Sequence, residues 1–404
     1  MSARTVLSPY TRLFTVPGAR AFSVAGWLAR LPSATVGLGT VLLVQGETGS
    51  YGVAGAVSGT LALAFAAASP RWGRAADRFG QGRVLRAATT AYLLIGAAFV
   101  VAVVAGAPRW SWFVLAALTG ASAANIGSLV RARWAHALSD PGHLQTAFAF
   151  ESVVDEVVFV VGPPLATVLA ATVAPAAGFV TGLAAGVVGG FVLARLEATE
   201  PPVAAREAGR PRAPRPRVLS ASLLVVTVTY LAMGAVFGAM DVVVVGFATA
   251  EGEPAAGGLA LACYAAGSLV AGLVYGLLQL PGTLAARFVA LAVLFGLAAQ
   301  LLHLVGSLVV LVPVVFLSGL AIAPVLVSGM SLVESRVPRS GLTEGLAWTS
   351  TGLGVGVTVG SALAGRAVDA WGAETSFAVP ALAAGVTAVI ALLGAGLLRR
   401  PGTA

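Results

Sequence analysis

The sequence predicts an all-α membrane protein of twelve transmembrane helices in two six-helix halves. Three observations carry that prediction. Of 404 residues, 58% are hydrophobic and only 10% charged, against about 25% charged in soluble domains; so few charges cannot cover a water-facing exterior. Apolar runs of the length a bilayer requires, about 20 residues, recur along the whole chain between turn signals. One long polar interval, 197–218, divides them six and six.

The first run, 18–44, is too long for a signal peptide and lacks a small-residue cleavage site after a short core, so it reads as a retained span. Arg30 sits near its middle. A cation there costs roughly 2.5–3.5 kcal/mol by insertion scales and is expected to face a polar interior with a partner. Spans two to four follow at 51–70, 83–105 and 110–130. Span five, 147–171, supplies the candidate partners Glu151, Asp155 and Glu156. The first two lie four residues apart and share a helix face; Glu156 is turned about 100° away. We expect Arg30 to pair with Asp155 or Glu156, with one acid titrating during transport. Glu151 lies nearer the cytoplasmic end, where loop arginines could hold it. Span six is 175–195. The second half comprises 219–246, 255–279, 284–305, 308–333, 342–365 and 374–398. The domain boundaries are thus 1–196, a linker 197–218 rich in Arg and Pro, and 219–404.

The chain has no lysine, so all 24 Lys+Arg residues are arginine. A Walker A loop needs its Lys, which excludes a P-loop of the chain's own. If both termini share one face, that face holds 21 of the 24 arginines. The opposite face holds only Arg109 and Arg366, and Arg30 lies between. The positive-inside rule then places both termini and the linker in the cytoplasm of a bacterial inner membrane. There the arginines favour anionic headgroups, so the net charge of +8 calls for no nucleic acid. Cys263 is a lone packing thiol, and no Cys/His spacing suits a metal. No nucleophile–base spacing or cofactor signature marks an enzyme, so no catalytic residue or cofactor is expected beyond a proton gradient.

The halves echo each other. Residues 128–133 read S-L-V-R-A-R and 331–336 read S-L-V-E-S-R, each closing an even-numbered span. The following spans align at an offset of 198, where Glu151, Asp155 and Glu156 meet Thr349, Leu353 and Gly354. The acids belong to the first half alone, so packing symmetry does not require them.

Between spans two and three the chain reads Gly73-Arg-Ala-Ala-Asp77-Arg78-Phe-Gly80-Gln-Gly-Arg83. This resembles the G-x-x-x-D-R-x-G signature of the major facilitator superfamily, and with twelve spans, a 6+6 repeat and a basic linker the resemblance covers the whole chain. Gly82 departs from it, standing where members often carry a second basic residue. The resemblance implies a monomeric transporter that moves a small molecule by alternating access. It also implies a cytoplasmic latch in which Asp77 engages a span-four arginine, Arg131 or Arg133, and the start of span eleven near Leu342. Gly162-Pro163-Pro164 is similar to the end of the drug–proton antiporter signature, although Ala166 replaces its final glycine; physically, the two prolines are expected to kink span five. Asn125, Tyr230 and Asp241 are candidate polar groups of a cavity. Asp241 lies toward the outer end of span seven, where it could be solvated. Glycines at 178, 182, 186 and 190, and at 352, 356 and 360, read as close-packing faces.

The leading expectation is proton-coupled efflux of an amphipathic drug or metabolite. A sugar, nucleoside or other metabolite transporter, or a non-transporting sensor of the same fold, are the alternatives.

Overall fold

The computed structural model describes residues 13–203, 220–277, 281–337 and 342–399. The amino-terminal arginines Arg4 and Arg12, and linker arginines 206–217, lie outside the described residues. Within them the chain is helical, with no strand.

Twelve spans are present. The first six are Ala19–Thr48, Tyr51–Phe79, Gln81–Val104, Arg109–Ala137, Pro141–Thr172 and Ala177–Arg195. The last six are Ala221–Ala250, Pro254–Leu277, Leu284–Leu304, Leu308–Arg336, Leu342–Trp371 and Ala378–Arg399. Eleven are both long and apolar enough to cross a membrane. Span eleven has the length, at 30 residues, but glycine, serine and threonine dilute its hydropathy.

Spans one, four and ten are interrupted within the bilayer. Span one breaks at Leu31, between Ala19–Arg30 and Pro32–Thr48; span four between Ser122 and Ile126; span ten between Gly319 and Ile322. Inside a membrane such breaks are tolerated only where the freed backbone groups find partners or line a cavity. Ser33 Oγ donates to Arg30 O at 2.7 Å and Ser122 Oγ to Thr119 O at 2.8 Å. Span five, by contrast, runs unbroken through Pro163 and Pro164, so the expected kink does not interrupt it. Thr167 Oγ donates to Pro163 O at 3.0 Å.

Helix packing follows the small residues. Gly352, Gly356 and Gly360 lie against Thr227, Leu231 and Ala235 of span seven, and Gly182 and Gly186 against Thr35 and Pro32 of span one. Across the seam between the halves, span two meets span eleven and span five meets span eight. Asp369 of span eleven accepts from Ser50 Oγ at 2.7 Å, Tyr51 N at 2.8 Å and Gly52 N at 2.8 Å. Thr358 Oγ donates to Gly59 O at 2.8 Å, and Thr167 Oγ to Ala255 O at 3.4 Å. These hydrogen bonds join the halves. All lie toward the end opposite the arginine-rich one.

Candidate functional site

The interruption of span one puts Arg30 at a helix end. Pro32 has no N–H, and Leu31 N bonds Leu28 O at 3.3 Å instead. Two glycines let neighbouring helices close around this turn. A Cβ on Gly189 of span six would lie 2.4 Å from Ala29 N, and one on Gly26 would lie 2.7 Å from Val130 Cγ2 of span four. The Arg30 side chain is consequently 5% exposed.

Its guanidinium stands 2.5 Å from Glu151 Oε2 and 3.2 Å from Asp155 Oδ1. No guanidinium nitrogen of Arg30 makes an aligned hydrogen bond, so the contact is ionic. Glu151 Oε1 accepts from Trp134 Nε1 at 2.7 Å; that buried indole meets Phe22 edge-on, centroids 4.7 Å apart. Asp155 Oδ2 accepts from Arg131 Nη2 at 2.8 Å. The result is a chain of alternating sign, Glu151–Arg30–Asp155–Arg131. Its two ends differ in access to water: the Glu151 side chain is 1% exposed, Asp155 36% and Arg131 31%. Asn125 and Ser128 lie exposed beside it at the break in span four. A Cβ on Gly127 would meet Arg131 Nη1 at 3.1 Å, Asn125 Oδ1 at 3.5 Å and Arg30 Nε at 3.7 Å.

Several expected placements differ. Glu156 is not Arg30's partner; half-buried, it makes no ion pair or hydrogen bond among the described residues. Glu151, expected near loop arginines, is Arg30's nearest acid, because its face of span five turns inward. Asn125 spends its side chain as a cap, its Oδ1 accepting from Ser128 N at 3.2 Å. Tyr230 is no cavity group. It is buried and its hydroxyl donates to Leu326 O at 2.5 Å, tying span seven to span ten. Asp241 is not at the end of its span. By the helical rise it lies about 14 Å inside the Ala250 end of span seven, half-buried and without a hydrogen bond or ion pair among the described residues. Gly162 packs on span one, where its Cβ would lie 2.6 Å from Ala34 Cβ. Pro163 faces the seam, where a Cβ on Gly258 of span eight would meet Pro163 O at 2.5 Å.

The signature stretch is not a loop throughout. Gly73 to Phe79 form the last turns of span two, and Gly80, with φ of 89°, is the single hinge before span three. Asp77 and Arg78 are exposed, and Asp77 makes no hydrogen bond or ion pair among the described residues. The start of span eleven lies at their edge, Gly341 and the side chains of Leu342 to Glu344 being outside them. The span-four arginines are engaged elsewhere. Arg131 turns to Asp155. Arg133 is fully buried and donates to Gln81 Oε1 (2.9 Å), Leu193 O (3.0 Å), Leu196 O (2.7 Å) and Thr199 Oγ1 (2.6 Å). It thus clasps the first residues of the linker to spans three and six. Glu200 Oε2 accepts from Gly82 N at 2.9 Å, at the positive end of span three. This accounts for the glycine at 82: a Cβ would already lie 2.9 Å from Ala194 O and 3.0 Å from Glu200 Oε2. Arg83 and Arg86 border the same surface, Arg86 pairing with Glu197 at 3.0 Å.

Sequence reasoning missed Trp134, Arg131's inward turn, Asp369 and Glu200. Each depends on a partner distant in the chain. Only Trp134, an aromatic set among arginines and His136, stands out in the sequence itself.

Comparison with known proteins completes the description. Solved structures of similar shape include the nucleoside transporter NupG (TM-score 0.73, 15% identity, covering 93% of this chain and 99% of that one). A peptide transporter POT in complex with sulfate aligns with TM-score 0.71 and 15% identity over 94% of each chain. A bacterial homologue of the iron transporter ferroportin, in an inward-facing state, aligns with TM-score 0.64 and 16% identity over 98% of this chain and 100% of that one. At such identities the likeness is one of fold. No curated protein matches the sequence. The family model of the Major Facilitator Superfamily matches residues 22–252, more than half the chain, and this multi-pass membrane protein therefore belongs to that superfamily of transporters.

Proposed function

We propose that this chain is a proton-coupled secondary transporter of the bacterial cytoplasmic membrane. It acts as a monomer with both termini in the cytoplasm, and it exports an amphipathic small molecule by alternating access. The observation that carries the reading is the ionic chain from Glu151 to Arg131. Asp155 is shared by two arginines and is the acid that water reaches. A proton arriving on Asp155 removes the charge that both guanidinium groups hold. Arg131 is then free to turn away, and Arg30 remains neutralised by Glu151. A substrate entering beside Asn125 and Ser128 meets that change directly. Loss of the proton restores the bridge, so substrate and proton exclude one another through a single carboxylate. With the arginine-rich end taken as cytoplasmic, the hydrogen bonds that join the halves lie toward the outside.

Two measurements test this. In proteoliposomes with an imposed pH gradient, ethidium is expected to drive proton movement. Asp155→Asn should abolish gradient-driven ethidium transport while retaining downhill exchange. If neither ethidium nor uridine drives proton movement, a sensor of the same fold is the better reading. The second is stability. Arg30→Gln strands Glu151 as a buried, unpaired charge and should cost about 3–5 kcal/mol. Adding Glu151→Gln should recover most of the loss. Equal stability of the single and double variants would show that the pair is not coupled.

A further inference from the structure

We propose that the groove between the inner halves of spans one and five is a binding site for an anionic phospholipid, a role beyond the transport reading. The groove encloses about 570 Å³ and is lined on span one by Arg20, Ser23, Val24 and Trp27. These stand at i, i+3, i+4 and i+7, one helix face. Phe150 and Val154 of span five form the other wall, with Phe14 edge-on to Phe150 at 5.3 Å between centroids.

The polar atoms of this groove are donors without acceptors. Arg20 is exposed and makes no ion pair or hydrogen bond among the described residues. Trp27 likewise has no hydrogen-bond partner for its indole N–H. Ser23 is 7% exposed, and its Oγ is buried without a partner. Thr35 and Thr40, further along the same span, instead bond back to Leu31 O and Val36 O at 2.9 and 2.8 Å. A buried hydroxyl without a partner is costly, so a ligand rich in acceptors is the complement. A phospholipid supplies the set. Its phosphate suits Arg20, in the first turn at the arginine-rich end. Its ester oxygens suit Ser23 and Trp27, the latter about 10 Å deeper by the helical rise. An acyl chain suits the apolar wall, where Val24 is 67% exposed.

The charge selects among lipids. A zwitterionic headgroup would need an acid for its ammonium. Acids around this end are already engaged: Glu151 and Asp155 with arginines, Glu197 with Arg86, and Glu200 with Gly82 N. Arg20 is thus left with a net positive site that an anionic headgroup satisfies. The apolar walls distinguish a lipid from a free anion.

Native mass spectrometry of the full chain in detergent, titrated with phosphatidylglycerol or phosphatidylcholine, tests the proposal. The wild type should retain phosphatidylglycerol about tenfold more tightly. Arg20→Gln should erase that preference, as loss of one charge-assisted contact. Ser23→Ala should weaken retention two- to threefold without changing the preference. Arg195→Gln, an exposed arginine at the same end outside the groove, should change nothing. Any of three results overturns the proposal: equal retention of both lipids, the same loss from Arg195→Gln as from Arg20→Gln, or displacement of the lipid by millimolar inorganic phosphate. The readout requires no transport, so it stands or falls apart from the proton-coupling experiment.

Discussion

The two ends of the seam between the halves are built to different standards. At the end opposite the arginine-rich one, the outer end on the proposed orientation, spans two and eleven touch backbone to backbone. A Cβ on Gly55 would lie 2.2 Å from Ser361 O, and one on Gly365 would lie 2.1 Å from Tyr51 O. The Asp369 carboxylate then caps the first turn of span two. At the arginine-rich end the same two helices share no hydrogen bond among the described residues, and Gly73 has open space around it. The helices are antiparallel crossbars with matching hardware. Asp77 stands two residues from the end of span two and Asp369 two residues from the end of span eleven, each where it can meet the other helix's amino terminus. A carboxylate at such a terminus contributes about 0.3–2 kcal/mol. That is small enough to break within a cycle whose states differ by a few kcal/mol. One end engaged and the other without hydrogen bonds among the described residues is the asymmetry that the proposed alternating access would use.

The largest disturbance of this asymmetry should come from Gly55→Ala. The new Cβ meets the Ser361 carbonyl, which is backbone and cannot swing aside. Overpacking of this kind costs about 1–3 kcal/mol, all of it in the outer-closed state. Spin labels at Glu47 and Glu374, in a Cys263→Ser background, should move apart relative to the unmodified seam. An unchanged label distance would mean that close backbone approach does not hold the outer end.

Asp369→Asn should act in the same direction by less. The amide keeps one acceptor but loses the charge that three donors share, and about 1–2 kcal/mol of outer closure is expected to go. The label-distance distribution should broaden toward the separation seen with Gly55→Ala. Asp369→Glu, which retains the charge on a longer arm, should fall between. If Asn and Glu behave alike, charge is not what closes this end.

The fold was legible because hydropathy and arginine placement are local properties. All twelve spans and their order were readable, with boundaries off by several residues where helices run past charged turns, as span two does to Phe79. Arg30 announced itself by its cost in hydrocarbon, and Asp155 by its place opposite. What failed was assignment between near-equivalent partners. Glu151, Asp155 and Glu156 occupy one stretch of one helix, and only the approach of spans one and four decides which faces Arg30. The latch was read from a signature that fixes residue types but not the conformation in which they engage. Asp369 carried no signal, since its three donors are more than 300 residues away in sequence. Tyr230 and Asp241 were separable only by burial, which periodicity along a wholly apolar helix does not encode.

The smallest effect, and the one that sharpens the comparison most, is expected from Gly73→Ala. Gly73 lies in the helical part of span two on the same helix as Gly55, but nothing stands within 4 Å of its added Cβ. Glycine in a helix interior costs about 0.5–1 kcal/mol relative to alanine, so the substitution should raise the melting temperature slightly. The Glu47–Glu374 distance should stay that of the wild type, because the present state accommodates the methyl group freely. On the proposed alternating access ethidium transport should nevertheless slow, since the inner end would close once per cycle and the methyl group would then enter a seam like the one at Gly55. Two variants, each adding one carbon atom to the same helix, would thus act on different ends of the seam. Should Gly73→Ala instead separate the outer labels as Gly55→Ala does, the two ends are not alternately engaged, and the seam is one rigid joint.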